Sequence, residues 1–210
     1  MGIAERKERE KQQRREGIIS AAEKVFFHKG FDQSTMDDIA EKAELSKGTL
    51  YLYFKSKEVL QMEVAKNAII LLNKFTSAAA EQGKNALEKL RQMGRATTEF
   101  SRSYPDHMKA ILAIKSLESG SLGLTTNEVE GILYEVSSVG MVKELVEQGV
   151  RDKLIRSDIP PILIAHTLWM QLLSVIQFVS TEKSLFNVLG LTPDKVYESH
   201  FEMVLNGITL

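Results

Sequence analysis

Apolar residues recur at three- and four-residue spacing along nearly the whole chain, and no stretch shows the alternation of a half-buried strand. From Arg14 to Lys29 this spacing places Ile18, Ala21, Ala22, Val25 and Phe26 on one face, and Gly30 follows as a stop signal. Thr35, with Asp38 three residues on, is a variant of the capping box; it opens a short helix whose inner face is Ile39, Ala40 and Ala43. Glu44-Leu45 forms a turn, Ser46 caps a third helix and Ser56 caps a long fourth one. The pattern predicts helices over 57–80, 85–103, 105–118, 126–151, 160–182 and 193–208. Breaks fall at Gln82-Gly83, Tyr104-Pro105, residues 120–123, 151–161 and 190–193. The predicted fold is all-α. Residues 1–56 form an N-terminal arm and a three-helix unit with a helix-turn-helix at about 35–54, and residues 57–210 form a larger helical body.

Composition narrows this picture. The chain has 210 residues and is 43% hydrophobic, which marks a packed protein of one large or two small domains. Its formal net charge is −1, so contact with a polyanion must come from local clustering. The basic arm is one such cluster, with Arg6, Lys7, Arg9, Lys11, Arg14 and Arg15 set among Glu5, Glu8 and Glu10. That alternation suits a solvated helix face and a DNA-touching arm equally. The absence of cysteine excludes a disulfide framework, a Cys-based zinc site and a thiol nucleophile, and it suits a reducing cytoplasm. The charged N-terminus does not read as a secretory signal. Ile162 to Val179 approaches membrane-spanning length, but His166, Gln171, Ser174 and Gln177 interrupt it, so it is read as a buried helix with no membrane partner.

The segment SKGTLYLYFKSK, Ser46 to Lys57, carries the chemistry. A helix, a tight turn and a second helix with small alanines at the crossing is the arrangement that places a helix in the DNA major groove. Phosphates are held there by N–H groups, hydroxyls and cations, and base edges are met by side chains near the helix start. Ser46, Lys47, Gly48 and Thr49 supply that start, and Gly48 allows close backbone approach. Tyr51 and Tyr53 add stiff hydroxyl donors, and Lys55 and Lys57 add charge. Leu50 and Phe54, four residues apart, are expected to pack inward with Ile39 and Leu45. Asp37 and Asp38 support the start of their own helix but repel phosphate, so neither counts as a contact.

The run from Gly30 to Leu60, with T-M-D-D-I-A and S-K-G-T-L-Y-L-Y-F-K-S-K, resembles the DNA-binding region of the TetR (tetracycline-repressor) family. The likeness covers roughly Arg15 to Leu60; beyond it only helix number and length agree. The resemblance implies a homodimeric regulator, a repressor by the likelier sign, that binds a double-stranded palindromic operator and is released by a small-molecule effector. It also implies a phosphate contact for Thr35, places Lys47, Thr49 and Tyr51 at or near bases, and assigns Tyr53 and Lys57 to the DNA backbone. Substituting Tyr51 or Lys57 by alanine is then expected to weaken DNA binding and leave stability nearly intact. Glu44 departs from the glycine often found in the family's turn; a left-handed residue there implies strain of about 1–2 kcal/mol.

An effector pocket should be mainly apolar with a few polar groups. The candidates are Met93, Phe100, Tyr104, His107, Met108, Ile111, Tyr134, Met141, His166, Trp169, Met170 and Gln171, each of which could equally be core. His166 and Gln171, as polar residues in an apolar helix, call for a partner, either effector or a residue across a dimer. The helix at 160–182 and the last one, through Val196, Tyr197, Phe201, Val204, Leu205 and Ile208, are expected to pack against a second copy. An apolar or aromatic effector fits the lack of a charge cluster.

Other functional classes find little footing. His28, His107, His166 and His200 form no metal-ligand pattern, and GSLG at Gly120 lacks the strand that would make it a phosphate loop. No metal, cofactor or catalytic residue is assigned. A helical protein-interaction adaptor is the alternative, with an enzyme behind it; neither needs the composition of Ser46 to Lys57.

Overall fold

The computed structural model describes residues 2–114, 122, 125, 127, 131–132, 134–135 and 137–210. Among these every regular element is a helix, joined by one isolated bridge between Ile155 and Thr209. The elements are α1 (Ile3–Lys29), α2 (Met36–Lys42), α3 (Lys47–Tyr53), α4 (Lys57–Ala80), α5 (Ala86–Ser103) and α6 (Pro105–Ala113). They continue with α7 (Val139–Arg151), α8 (Pro161–Thr181), α9 (Lys183–Leu189) and α10 (Pro193–Ile208). The break expected at 120–123 and the end of the 105–118 helix past Ile114 lie outside the described residues, as does most of 126–136.

Two differences from expectation have local causes. α1 begins at Ile3 rather than near Arg14, because the arm's charges pair along the helix: Arg6 Nε donates to Glu10 Oε1 at 2.8 Å, and Gln12 donates to Glu16 at 3.0 Å. The helix expected over 126–151 is interrupted at Ser137-Ser138: residues 131–132 and 134–135 are helical, and α7 starts at Val139, where Ser138 donates its hydroxyl to Asn73 Oδ1 at 2.6 Å instead of capping. α9 falls beyond the predicted 160–182 helix and follows α8 after Glu182 alone.

The chain divides into two compact units: the described residues of Met1–Ala68 with Lys109–Glu130, and those of Ile69–Met108 with Gly131–Leu210. The division falls inside α4 rather than before it, since Leu60 and Val64 of its first turns belong to the first core. That core joins Ile18, Ala22, Val25 and Phe26 of α1 to Ile39 and Ala40 of α2 and Leu50 of α3, closed by Phe54. The arm's Arg15 is engaged here too, its guanidinium over the Phe54 ring at 5.0 Å and paired with Glu63 at 3.0 Å.

The second unit is a bundle in which α8 packs on α7 and α10, and α5 packs on α7 and α10. Gly94 sets the α5–α10 spacing, because a Cβ there would lie 2.6 Å from Phe201 Cε1. Arg95 pairs with Glu198 at 2.8 Å and Arg102 with Asp194, pinning the same two helices.

Capping explains the short helices. Thr35 Oγ1 accepts from Asp38 N at 3.1 Å, and Asp38 Oδ2 accepts from Thr35 N at 3.0 Å. Lys29, hydrogen-bonded to Asp38, holds that carboxyl below its ordinary value of 3.8, with further help from Thr35. The cap therefore stabilises α2 at neutral pH and is lost as pH falls through that lowered value. Glu44, the turn between α2 and α3, has φ 56°. Glu44→Gly should relieve the left-handed strain and, after the extra freedom of the unfolded chain is subtracted, raise stability by about 0.5–1 kcal/mol in urea unfolding.

Candidate nucleic-acid interface

α3 is one stripe of anchors with everything else turned outward. Leu50 and Phe54 are fully buried, while Tyr53 is half-buried against the same core. Ser46 Oγ caps the helix by accepting from Thr49 N at 3.1 Å and lies 2.8 Å from Thr49 Oγ1. The outward face carries Lys47 and Gly48, both exposed, with Tyr51 at 43% exposure and Leu52 at 84%; Lys55, past the end of the helix, is exposed as well. Thr35 is exposed, its hydroxyl oxygen accepting from Asp38 N. The first unit thus brings Thr35, Ser46, Lys47, Gly48, Thr49 and Tyr51 onto two helix starts and one helix face, with Lys55 in the segment that follows. Leu52 is the residue that sequence reasoning passed over; its signal is its place one turn after Gly48, between the inward Leu50 and Phe54.

Two of the lysines are not simple surface cations. Lys47 Nζ lies 2.7 Å from Asp37 Oδ1, and the hydrogen bond to this carboxylate raises its pKa. Asp37, which also supports the start of α2, is thus the partner of a candidate DNA-reading lysine. Lys57 Nζ donates to the carbonyls of Phe31 at 2.8 Å and Ser34 at 2.9 Å, and it sits 4.3 Å from the centre of the Phe31 ring. An ammonium has three donors, and this one spends them on the α1–α2 loop. The expectation that Lys57 can be removed without loss of stability is therefore corrected.

The second unit sorts the effector candidates into separate places. A cavity of about 60 Å³ is lined by Met93 and Trp169 among the candidates, and by Thr76, Arg91, Thr97, Ser138, His200 and Phe201, which the sequence did not single out. The wall is apolar because its hydroxyls are satisfied internally: Thr97 by Met93 O at 2.9 Å, Thr76 by Asn73 O at 3.2 Å and Ser138 by Asn73 Oδ1 at 2.6 Å. Burial holds the His200 imidazole below its ordinary pKa of 6.5.

Phe100 and Tyr104 do not line this cavity but stack at 5.1 Å, with Phe75 edge-on to both and His107 edge-on to Tyr104 at 5.6 Å. Met108 and Ile111 are buried, and Met141 is half-buried with Sδ 3.8 Å from Ser77 Oγ. Tyr134 is exposed and stacks on His166 with ring centres 6.0 Å apart.

His166 and Gln171 are exposed, not buried, so the demand for a buried partner does not arise within the chain. They fall on the exposed side of α8, together with Leu163, Met170, Ser174 and Phe178. Met170 and Gln171 line an open groove of about 810 Å³ between α8 and α10. Of the dimer residues expected on α10, Tyr197, Phe201 and Leu205 are buried in the chain's own bundle, Val204 and Ile208 line the groove, and Met203 is the exposed large hydrophobic side chain of that helix. Leu168, His200 and Val204 line both the cavity and the groove.

A capped helix, a left-handed turn and a second helix with a polar, partly aromatic outer face define a helix-turn-helix DNA-binding protein. Residues 18–64 match the family model for bacterial regulatory proteins of the tetR family. The fatty acid metabolism regulator protein of Bacillus subtilis is 31% identical over 137 residues, covering 60% of this chain and 70% of that protein. The transcriptional repressor NicS of Pseudomonas putida is 26% identical over 145 residues, or 69% of this chain and 67% of the repressor. A fatty acid degradation regulator from Bacillus halodurans shares the fold with a TM-score of 0.67 at 17% identity, over 91% of this chain and 94% of that one. A ketosteroid transcriptional regulator of Mycobacterium tuberculosis does so with a TM-score of 0.60 at 22% identity, over 94% and 95%. The chain belongs to the tetR family of bacterial regulatory proteins and is a DNA-binding transcriptional regulator.

Two lysine tests follow from the geometry. Lys57→Met should lower unfolding stability by about 1–3 kcal/mol, because the loop carbonyls lose a charged donor. It should leave the salt dependence of DNA binding unchanged, whereas Lys55→Met should reduce that slope by about one unit with no change in stability. Asp37→Asn frees Lys47 to release a counterion on binding, so the slope should steepen by about one unit and affinity at low salt should rise. An unaltered slope would mean that the Asp37 pairing does not limit ion release by Lys47 on DNA.

Proposed function

We propose that the protein is an effector-released repressor that binds a palindromic operator as a homodimer in the cytoplasm. The observation that carries this is the outward face of α3, with Lys47, Tyr51 and Leu52 exposed and the helix held against the first core by Leu50 and Phe54. Thr35, Ser46 and Tyr53 bind phosphates, and Lys47, Gly48, Thr49 and Tyr51 approach base edges. Lys57 acts indirectly, holding the loop that presents Thr35.

The dimer forms through α8 and α10. Their open groove, edged by Leu163, Met170, Met203 and Val204, is apolar enough to bury and polar enough, through Gln171 and Ser174, to leave a single chain dispersed. Two-fold pairing sets two α3 helices in successive major grooves, roughly 34–36 Å apart.

The effector is apolar or aromatic and enters the cavity bearing Met93 and Trp169. Support comes from the satisfied hydroxyls in its wall and from relatives whose names refer to fatty acids and ketosteroids. A drug-sized ligand needs about 300 Å³ or more, so binding must open this cavity and favours whichever conformation is wider. Two routes lead outward from it. α4 carries Thr76 in the cavity wall and Leu60 and Val64 in the first core, and Leu168, His200 and Val204 are shared with the groove.

Selection of bound duplexes from a random DNA pool tests the whole reading. It should enrich a palindrome with half-sites one helical turn or a multiple apart. Tyr51→Ala should lose that site while melting like the wild type, and Met170→Glu should yield monomers that bind it weakly. Enrichment of no sequence, or of a single half-site by a monomer, would overturn the dimeric operator.

A further inference from the structure

Among the described residues of the first unit, the exposed large hydrophobic side chains are Tyr51 and Leu52, and both belong to α3. Single exposed leucines are ordinary on protein surfaces, so exposure alone says little. Three facts set Leu52 apart. Its 84% exposure means that it contributes almost nothing to the core that its neighbours Leu50 and Phe54 complete. It lies four residues after Gly48, where a Cβ would meet nothing within 4 Å, so the two share a helix face open to a close-fitting partner. It is preceded by the exposed Tyr51, which offers a hydroxyl, while Leu52 itself can offer only apolar contact.

We propose that Leu52 is a specificity-determining residue that reads the C5-methyl group of a thymine in the major groove. The inference rests on the operator-binding reading above and assigns a base to a residue outside the hydrogen-bonding set. In the major groove the thymine methyl is the apolar feature that distinguishes this base, and an unbranched polar side chain gains nothing from it. An aliphatic side chain gains by removing both itself and the methyl from water. One buried methyl contributes a factor of about four in affinity. Because the contact is made only on DNA, the free protein is indifferent to it.

The test uses the selected operator with each thymine replaced singly by uracil, which deletes the methyl and nothing else. Wild-type protein should lose about fourfold in affinity at one thymine in each half-site. Leu52→Ala should bind the thymine and uracil forms of that position equally and keep the wild-type penalties at every other position. Leu52→Gln should shift the base preference at that position when the selection is repeated. Both variants should melt like the wild type, since the side chain is outside the core. If Leu52→Ala retains every uracil penalty, or weakens all sequences uniformly, Leu52 does not read a base and the proposal fails while the operator stands. If wild-type protein selects no operator at all, the reading beneath the proposal fails with it.

Discussion

The burial of Leu50 and Phe54 is the constraint on which the first unit depends. Leu50 lies within α3, a helix only seven residues long, and Phe54 caps its C-terminus one turn later. Once both are pressed against Ile39, Ala40 and the apolar face of α1, the rotation of α3 about its axis is set. Tyr51 and Leu52 are then outward by geometry, with no interactions of their own needed to hold them there. The turn that permits this packing is tight enough to force Glu44 into a left-handed conformation at φ 56°. Local strain is tolerated because the core beside it determines where α2 and α3 must meet.

Charge on this head is arranged more frugally than the lysine count suggests. Lys29 is paired with Asp38, Lys47 with Asp37 and Arg15 with Glu63, while Lys57 serves backbone carbonyls. With a formal net charge of −1 and these cations engaged, attraction to phosphate depends on local clusters such as Lys55 and the basic arm, whose cations are interleaved with acids along an exposed helix.

In the second unit one helix does two jobs with two faces. α8 turns Ile164, Leu172 and Ile176 into its own bundle and leaves Leu163, Met170 and Phe178 uncovered. His166, Gln171, Ser174 and Gln177 all lie among the exposed residues. The helix is long and apolar enough by composition to cross a bilayer, yet its packing against α7 and α10 makes it part of a helical bundle. Three side chains separate the enclosed cavity from the uncovered groove, so a change in cavity volume and a change in the groove surface involve the same atoms.

The helical class, most helix boundaries, the caps at Thr35, Ser46 and Ser56 and the inward pair Leu50 and Phe54 were all readable from spacing and residue type. They are local properties: periodicity, a hydroxyl at a helix start and a glycine at its end act within one or two turns. What neighbours across the fold decide was not readable. Nothing near Lys57 in the chain indicates that its ammonium is spent on carbonyls more than twenty residues away, and nothing near Lys47 indicates that Asp37 claims it. The effector candidates are scattered over the fold for the same reason. An aromatic or methionine looks the same in sequence whether it lines a cavity, as Trp169 does, completes an aromatic cluster, as Tyr104 does, or faces outward, as Met170 does. The sequence by itself determined which helices form and which side of each is apolar, because those depend on bonds and contacts within a few residues. Only the tertiary structure decided which apolar side meets another helix and which is left bare, because that depends on where distant segments come to rest.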